Sequence, residues 1–144
     1  MTEDKLKIIR AVTASQSVGF HGWVAAALPG AKCVSVSSPG SEAEALPQPW
    51  RVVTVPMERH ISPLRDLRAL VRLVRLFRRE RPAMVHSMTP KAGLLCMMAA
   101  RMACVPVRVH TFTGLVFPTA TGLTRRILML TDRITCACAT HVIP

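Results

Sequence analysis

The chain has 144 residues, half of them hydrophobic, and a formal net charge of +11 at pH 7. This length fits one domain with a layered core, and the apolar composition excludes an intrinsically disordered chain. The excess of positive charge predicts an anionic partner, and the candidate classes are nucleic acid, a lipid surface and a phosphorylated ligand.

The amino-terminal part of the chain alternates short apolar runs with helical or turn-rich segments. Strands are predicted at residues 7–13, 32–37 and 51–55, with a short helix before Pro29. A longer helix is predicted from Pro63 to residue 79, because Ser62 and Pro63 form an N-cap signal and Asp66 places negative charge in the first turn. The dipeptide at residues 81–82 ends that helix.

The alternation continues to the end of the chain. Strands are predicted at residues 83–86 and 107–111, and a last one begins at 140–143. Helices are predicted at residues 91–104 and 123–133. Strands that alternate with helices in this way are typical of an α/β fold with a Rossmann-like open parallel sheet and helices on both faces.

Four loops follow the carboxyl ends of the predicted strands, where open parallel sheets bind ligands. They are "TASQSVG" after the first strand, "PMERHISP" after the third, "HSMTPKAG" after the fourth and "HTFTG" after the fifth. We therefore expect a binding site at this edge of the sheet.

Three further classes of feature are absent from the sequence pattern. No apolar segment follows the acidic amino terminus and none approaches the ~20 residues of a spanning helix, which predicts a cytoplasmic chain without a signal peptide or membrane span. The five cysteines lack zinc-site spacing and are expected to be buried, reduced thiols, so no metal is predicted. The loop "TASQSVG" is not a dinucleotide-binding fingerprint.

Five segments resemble the amino-terminal domain of bacterial family 4 glycosyltransferases, especially those that extend lipid-linked oligosaccharides, capsules or O-antigens. The segments are "SSPG" at 37–40, "MER-ISPL-DL" at 57–67, "VH---TPKAGLL" at 85–95, "VPVR-HTFTGLVF" at 105–117 and "ATGLTRR" at 120–126. Two departures are Met88, where members of the family often carry a second histidine, and a compact segment at 15–30.

The resemblance implies one half of a GT-B enzyme, in which two Rossmann-like domains face a cleft. Residues 1–144 then form the domain that receives the acceptor, and a nucleotide-sugar domain with paired glutamates lies outside this chain. The implied reaction is retaining transfer from a nucleotide-sugar to a lipid-diphosphate-linked saccharide, with no metal or other cofactor. The chain alone is then expected to be inactive.

The same resemblance assigns the candidate site. His110 is the catalytic candidate, as a hydrogen-bond donor to the substrate or a stabiliser of leaving-group charge; the alternative is a histidine that holds the loop "TFTG". Lys91, at a helix N-terminus, suits an anion, unless it is merely solvated; Glu58 and Arg59 form either a substrate clamp or a local salt bridge. The full acceptor-binding set is His86, Thr89, Lys91, Glu58, Arg59, Thr111, Gly114 and Ser17.

The predicted helix from residue 63 to 79 is amphipathic and basic. Leucine, valine and phenylalanine at i, i+3 and i+4 spacing predict one packed apolar face, formed by Leu64, Leu67, Leu70, Val71, Val74 and Phe77. A stripe of arginines recurs beside it, at Arg65, Arg68, Arg72 and Arg75. This stripe either meets an anionic membrane, which would place the protein peripherally on the inner face of the cell membrane, or is solvated.

Two other function classes remain to be weighed. Nucleic-acid binding is disfavoured because aromatic residues are only 4% of the chain and tyrosine is absent, which leaves no base-stacking platform. A non-catalytic binding module that pairs with a separate catalytic partner stays open as the alternative. A reading frame that continues past codon 144 into a second Rossmann-like domain would favour the enzyme.

Overall fold

The computed structural model of the chain describes residues 6–13, 27, 28, 30–40, 51–58, 60–114 and 117–144. Its strands are β1 (Lys7–Ala11), β2 (Lys32–Ser37), β3 (Arg51–Thr54), β4 (Met84–Ser87), β5 (Val107–Thr111) and β6 (His141–Ile143). Its helices are α1 (Pro63–Glu80), α2 (Pro90–Met102) and α3 (Gly122–Cys138), with a short 3-10 turn at Phe117–Thr119.

The strands form one sheet in the order β3-β2-β1-β4-β5-β6, and every neighbouring pair is parallel. The chain moves outward from β1 to β3 and then returns to place β4 on the other side of β1. This reversal creates a topological switch point between β1 and β4, whose carboxyl ends are the usual place for a ligand. The predicted Rossmann-like fold is confirmed.

The main apolar core lies between one face of the sheet and helices α1 and α2. Ile9, Val34 and Val85 occupy one register row of the sheet and are at most 4% exposed. Leu73 and Phe77 of α1 and Met97 of α2 cover this face and are also buried. This packing fixes α1 and α2 relative to the loops at the carboxyl edge.

Helix α1 is bounded by two identifiable signals. Pro63 occupies the first turn, and the Asp66 carboxylate accepts a hydrogen bond from the Ser62 backbone N–H at 3.3 Å. The Ser62 side chain makes no capping bond, so the side-chain cap predicted at Ser62 is not formed, and Asp66 instead binds the backbone N–H of Ser62. At the other end, Arg81 adopts φ 46° in the left-handed region and donates its N–H to the Phe77 carbonyl.

The predicted apolar face of α1 is only partly correct. Val74 and Phe77 are buried as expected, together with Ala69 and Leu73. Three other members of the predicted face point into solvent: Leu64 is 76% exposed, Leu67 57% and Val71 40%. The helix therefore has two apolar stripes, and the core takes the one centred on Leu73.

A buried carboxylate ties the end of α1 to the sheet. Glu80 accepts hydrogen bonds from Lys7 Nζ at 3.0 Å and from Arg51 Nη1 at 2.8 Å. The hydrogen bond from Lys7 is the main reason that the pKa of Glu80 lies below its usual value. The stabilisation from this cluster is present above the pKa of an unfolded glutamate and is lost as the pH falls through the lowered folded value.

Other element boundaries differ from the sequence predictions. β1 ends at Ala11 and α2 at Met102, both earlier than predicted, whereas α3 continues five residues past the predicted end at 133. The extension is stabilised by burial of Thr135 and Cys138, and the Thr135 hydroxyl donates to the Thr131 carbonyl. β-branched residues such as Ile134 and Thr135 are therefore accommodated in this helix despite their lower helix propensity.

All five cysteines are free, but their predicted burial is wrong for Cys104 and Cys136, which are exposed, and for Cys33, which is half-buried. Among the residues that the structure describes, no three histidine, cysteine or acidic side chains are grouped as metal ligands. In the same described part of the chain, no helix is both long and apolar enough to cross a bilayer.

Candidate functional site

Two threonines join the ends of β1 and β4 at the carboxyl edge of the sheet. Thr13 Oγ1 and Thr89 Oγ1 lie 2.6 Å apart, and the Thr13 backbone N–H donates to Thr89 Oγ1 at 3.0 Å. Thr13 Oγ1 also accepts from the Ala92 N–H at 3.3 Å, which satisfies one of the open donors at the start of α2. The N-terminus of α2 is thereby held at the switch point.

His86 and Thr111 join the ends of β4 and β5 on the sheet face opposite the main core. His86 Nε2 and Thr111 Oγ1 are 2.8 Å apart, and the Thr113 hydroxyl donates to the Met88 carbonyl at 3.0 Å. Burial lowers the pKa of His86 to about 4, with further contributions from the charges of Arg10 and His110. His86 is therefore neutral at pH 7 and available as a hydrogen-bonding group.

His110 faces the other side of the sheet and is enclosed beneath α2. Only 1% of the residue is exposed, and its Nδ1 lies 2.8 Å from Ser87 Oγ. Its ring meets the Phe112 ring edge-on at a centroid distance of 4.5 Å. Burial also lowers the pKa of His110. The catalytic role that the sequence assigned to His110 stays a prediction, and the contacts seen are those of a residue that positions its neighbours.

Gly93 of α2 is the reason that the His110 ring fits there. A Cβ atom at Gly93 would lie 2.3 Å from His110 Cε1 and 2.8 Å from Nδ1, well inside van der Waals contact. The glycine thus lets α2 lie close against the side chain of His110.

Lys91 and Glu58, two further members of the predicted set, are both ion-paired. Lys91 Nζ lies 2.7 Å from Asp66 Oδ2 and 2.9 Å from the His60 carbonyl, so it links α2 to the start of α1. Glu58 Oε1 accepts from Arg65 Nη1. The anion-binding role of Lys91 and the clamp role of Glu58 stay predictions, because each would require these pairs to open or to share their charge with a ligand.

The remaining members of the predicted set are Gly114, Arg59 and Ser17. Gly114 is exposed in the loop after β5 and has φ +154°, within the region that favours glycine. Arg59 and Ser17 lie outside the described residues. The structure thus brings His86, Thr89 and Thr111 to one edge, while His110 lies under α2.

One residue of the edge was missed by the sequence reasoning. Arg10, in β1, is only 4% exposed and lies in register with His86 of β4. Its Nη2 lies 3.0 Å from Met88 Sδ, whereas Nε and Nη1 have no hydrogen-bond partner in the described part of the chain. The available signal was an arginine within the otherwise apolar run "IIRAV" at residues 8–12.

Comparison with known proteins gives a family match over most of the chain. Residues 22–144 match the model of the glycosyl transferase 4-like domain. The capsular polysaccharide biosynthesis glycosyltransferase CapM of Staphylococcus aureus is 39% identical over 89 residues, which are 62% of this chain and 23% of CapM. An Escherichia coli UDP-Gal:α-D-GlcNAc-diphosphoundecaprenol α-1,3-galactosyltransferase is 41% identical over 59 residues, or 41% of this chain and 15% of that enzyme.

Solved structures resemble the chain in fold at low sequence identity. A UDP-N-acetylglucosamine 2-epimerase superposes with a TM-score of 0.71 and 19% identity, covering 98% of this chain and 42% of the epimerase. MurG of Acinetobacter baumannii superposes with a TM-score of 0.61 and 12% identity, covering 94% of this chain and 40% of MurG. The chain thus spans less than half of each of these proteins.

Proposed function

The chain belongs to the glycosyl transferase 4-like domain family, and from that membership we propose that its full-length protein transfers a sugar from a nucleotide-sugar to a lipid-diphosphate-linked saccharide in surface polysaccharide synthesis. The observation that carries the proposal is the family match over residues 22–144. The name of the E. coli relative supports this substrate class, since it specifies a UDP-sugar donor and a diphosphoundecaprenol acceptor.

Within that protein, we propose that residues 1–144 form the acceptor-side domain of a GT-B enzyme. This domain would face a second domain that holds most of the nucleotide-sugar. His86, Thr89, Thr111 and Gly114 supply neutral hydrogen-bonding groups and an accessible backbone at the carboxyl edge. Lys91, Glu58, Arg59 and Ser17 complete the proposed acceptor site. His110 acts through the segment that it packs against.

The proposed transfer retains the configuration of the sugar. An inverting enzyme needs a general base to activate the acceptor hydroxyl. Among the described residues, the two carboxylates near this edge are Glu58 and Asp66, and both are paired with cations, Arg65 and Lys91. The described part of the chain thus has no unpaired carboxylate at this edge, which supports a retaining reaction. The proposed donor is the nucleotide-sugar, with no metal or other cofactor.

The exposed side of α1 supports peripheral attachment to an anionic membrane. Leu64, Leu67 and Val71 are exposed on this helix, and the side chains of Arg65, Arg68, Arg72 and Arg75 are exposed beside them. Exposed apolar side chains can enter the headgroup region, while arginines attract anionic lipid by about 1 kcal/mol each. This attachment would hold the site near a lipid-linked acceptor on the inner face of the membrane.

Vesicle co-sedimentation tests the membrane face. Arg65 is paired with Glu58, so the variant replaces Arg68, Arg72 and Arg75 with glutamine, which keeps helix propensity and most of the aliphatic stem. We expect the native chain to bind anionic vesicles at 0.1 M salt and to bind much less at 1 M, because the Debye length falls from about 10 Å to about 3 Å. The variant should lose most of the binding at low salt.

The matched control removes the same charge from α3, which packs on the other side of α2. It replaces the exposed residues Arg125, Arg126 and Arg133 with glutamine. Nearly native binding by the control is expected. Equal loss of binding in both variants would show that net charge alone attaches the chain, and would remove α1 as the membrane face.

A transfer assay tests the proposed function. The full-length protein would be incubated with GlcNAc-diphosphoundecaprenol and a panel of uridine and guanosine diphosphate sugars. We expect one donor to yield a product whose new linkage keeps the anomeric configuration of the donor, as determined by NMR. Residues 1–144 alone should transfer no sugar and bind the donors only weakly by calorimetry.

Three results would contradict parts of this account. A product with an inverted anomeric configuration would contradict the retaining mechanism. Micromolar donor binding or sugar transfer by residues 1–144 alone would contradict the assignment of the donor site to a second domain. Failure of every donor on this and other lipid-diphosphate acceptors would favour the non-catalytic binding module.

A further inference from the structure

The guanidinium of Arg10 is buried at the switch point without a matching anion in the described part of the chain. Arg10 is 4% exposed, and the four carboxylates of the described residues are accounted for elsewhere. Glu58 pairs with Arg65, Asp66 with Lys91 and Glu80 with Lys7 and Arg51, while Asp132 lies on α3. Burying an unpaired charge costs free energy. Arginine stays protonated even when buried, so Arg10 cannot avoid that free-energy cost by losing its charge.

The orientation of the side chain points to the ligand edge of the sheet. Arg10 is the fourth residue of β1, and its Nη2 reaches Met88, which follows the carboxyl end of β4. These two strands flank the topological switch point, where the carboxyl ends of open parallel sheets bind ligands. The free donors of Arg10 are therefore close to the position where a ligand is expected.

The only described hydrogen-bonding partner of the guanidinium is a weak one. Nη2 contacts Met88 Sδ at 3.0 Å, and a thioether is a poor acceptor. Methionine is also unbranched and flexible, and Met88 is only half-buried. Movement of this one side chain would expose the guanidinium, whose planar donors match a phosphate or carboxylate group.

We propose that Arg10 is an anion-binding residue, whose Nε and Nη2 form a donor fork for a phosphate or diphosphate group that enters at the β1–β4 switch point when Met88 moves aside and frees Nη2. The choice of phosphate over carboxylate rests on the proposed function, in which the donor and the acceptor both carry a diphosphate. Binding by Arg10 itself rests on its burial, its unpaired donors and its place in the sheet.

Calorimetry with inorganic pyrophosphate tests the site in the native chain and in an Arg10→Met variant. Methionine keeps an unbranched stem of similar length and removes the charge. The matched control is Arg101→Met, which removes the same charge from an exposed arginine in the last turn of α2. We expect affinity to fall at least about ten-fold in Arg10→Met and by less than about two-fold in the control.

Three further measurements keep the outcome decisive. Arg10→Met should be at least as resistant to urea as the native chain when no anion is present, because the variant buries no unpaired charge. Arg10→Lys keeps the charge but lacks the forked donors, and should also bind pyrophosphate more weakly. In the native chain, pyrophosphate should raise the pKa of His86 in an NMR titration, since it neutralises a charge that now lowers that pKa.

Parallel titrations with UDP and with farnesyl diphosphate distinguish the source of the phosphate. Tighter binding of UDP would assign the site to the nucleotide-sugar, and tighter binding of farnesyl diphosphate to the lipid acceptor. Equal affinity for pyrophosphate in the native chain and Arg10→Met, or unfolding of Arg10→Met, would overturn the proposal and make Arg10 a structural residue. Since no sugar transfer is measured, this result is independent of the transfer assay.

Discussion

Replacing His110 with alanine is expected to lower the turnover of the full-length protein by about 10²-fold. The His110 ring packs against Phe112 and its Nδ1 lies 2.8 Å from Ser87 Oγ, so it fixes the start of the loop at residues 112–114. A displacement of about 1 Å in groups that position a substrate can cost about 10²-fold in rate. Steady-state kinetics would measure the loss, with urea unfolding curves to correct for the folded fraction.

A double-mutant cycle with Phe112→Ala separates positioning from direct contact. If His110 acts through the loop, Phe112→Ala should also lower turnover, and the double variant should be little worse than His110→Ala alone. If the losses of turnover in the two single variants multiply in the double variant, His110 contacts the substrate itself, as the family resemblance implies. Native turnover in His110→Ala would contradict both roles.

Replacing Gly93 with alanine is expected to destabilise the chain by about 2 kcal/mol. The added Cβ would lie 2.3 Å from His110 Cε1, and the ring is held in place by Ser87 and Phe112. We assign the overlap a cost of about 3 kcal/mol, at the upper end of the range for overpacked cores. The higher helix propensity of alanine returns roughly 1 kcal/mol.

The effect of Gly93→Ala on the free energy of unfolding should change sign when His110 is absent. In a His110→Ala chain, the ring that opposes the new methyl group is gone, and Gly93→Ala should stabilise α2 by up to about 1 kcal/mol. Urea denaturation of the four chains would measure both effects. Destabilisation of equal size in both backgrounds would contradict the contact between Gly93 and His110.

Much of the fold could be predicted because apolar residues recur with a different spacing in strands and in helices. The strand at Val107–Thr111 was predicted at its observed bounds, and α1 to within one residue at each end. The face of α1 that packs could not be predicted in full. Leu64, Leu67 and Val71 form a second apolar stripe with the same period as the buried one, and only the position of the sheet decides which stripe is covered.

The edge that carries the candidate site could also be predicted, because parallel strands bring their carboxyl ends together. Which sheet face each histidine takes could not be read from the motifs alone. His86 and His110 both follow apolar strand residues, yet register pairs Ser87, rather than His86, with His110. The two rings therefore face opposite sides of the sheet. The pairing of Lys91 with Asp66 joins residues 25 positions apart and has no local signal.

Photo-crosslinking of a lipid-linked acceptor to the full-length protein tests the central claim most directly. The probe is GlcNAc-diphosphoundecaprenol with a photoreactive group beside the diphosphate, and the adducts are mapped by mass spectrometry. The account predicts adducts at residues 86–91 and 111–114, which excess unlabelled acceptor should suppress. Adducts confined to parts of the protein outside residues 1–144 would contradict the assignment of this chain as the acceptor-side domain.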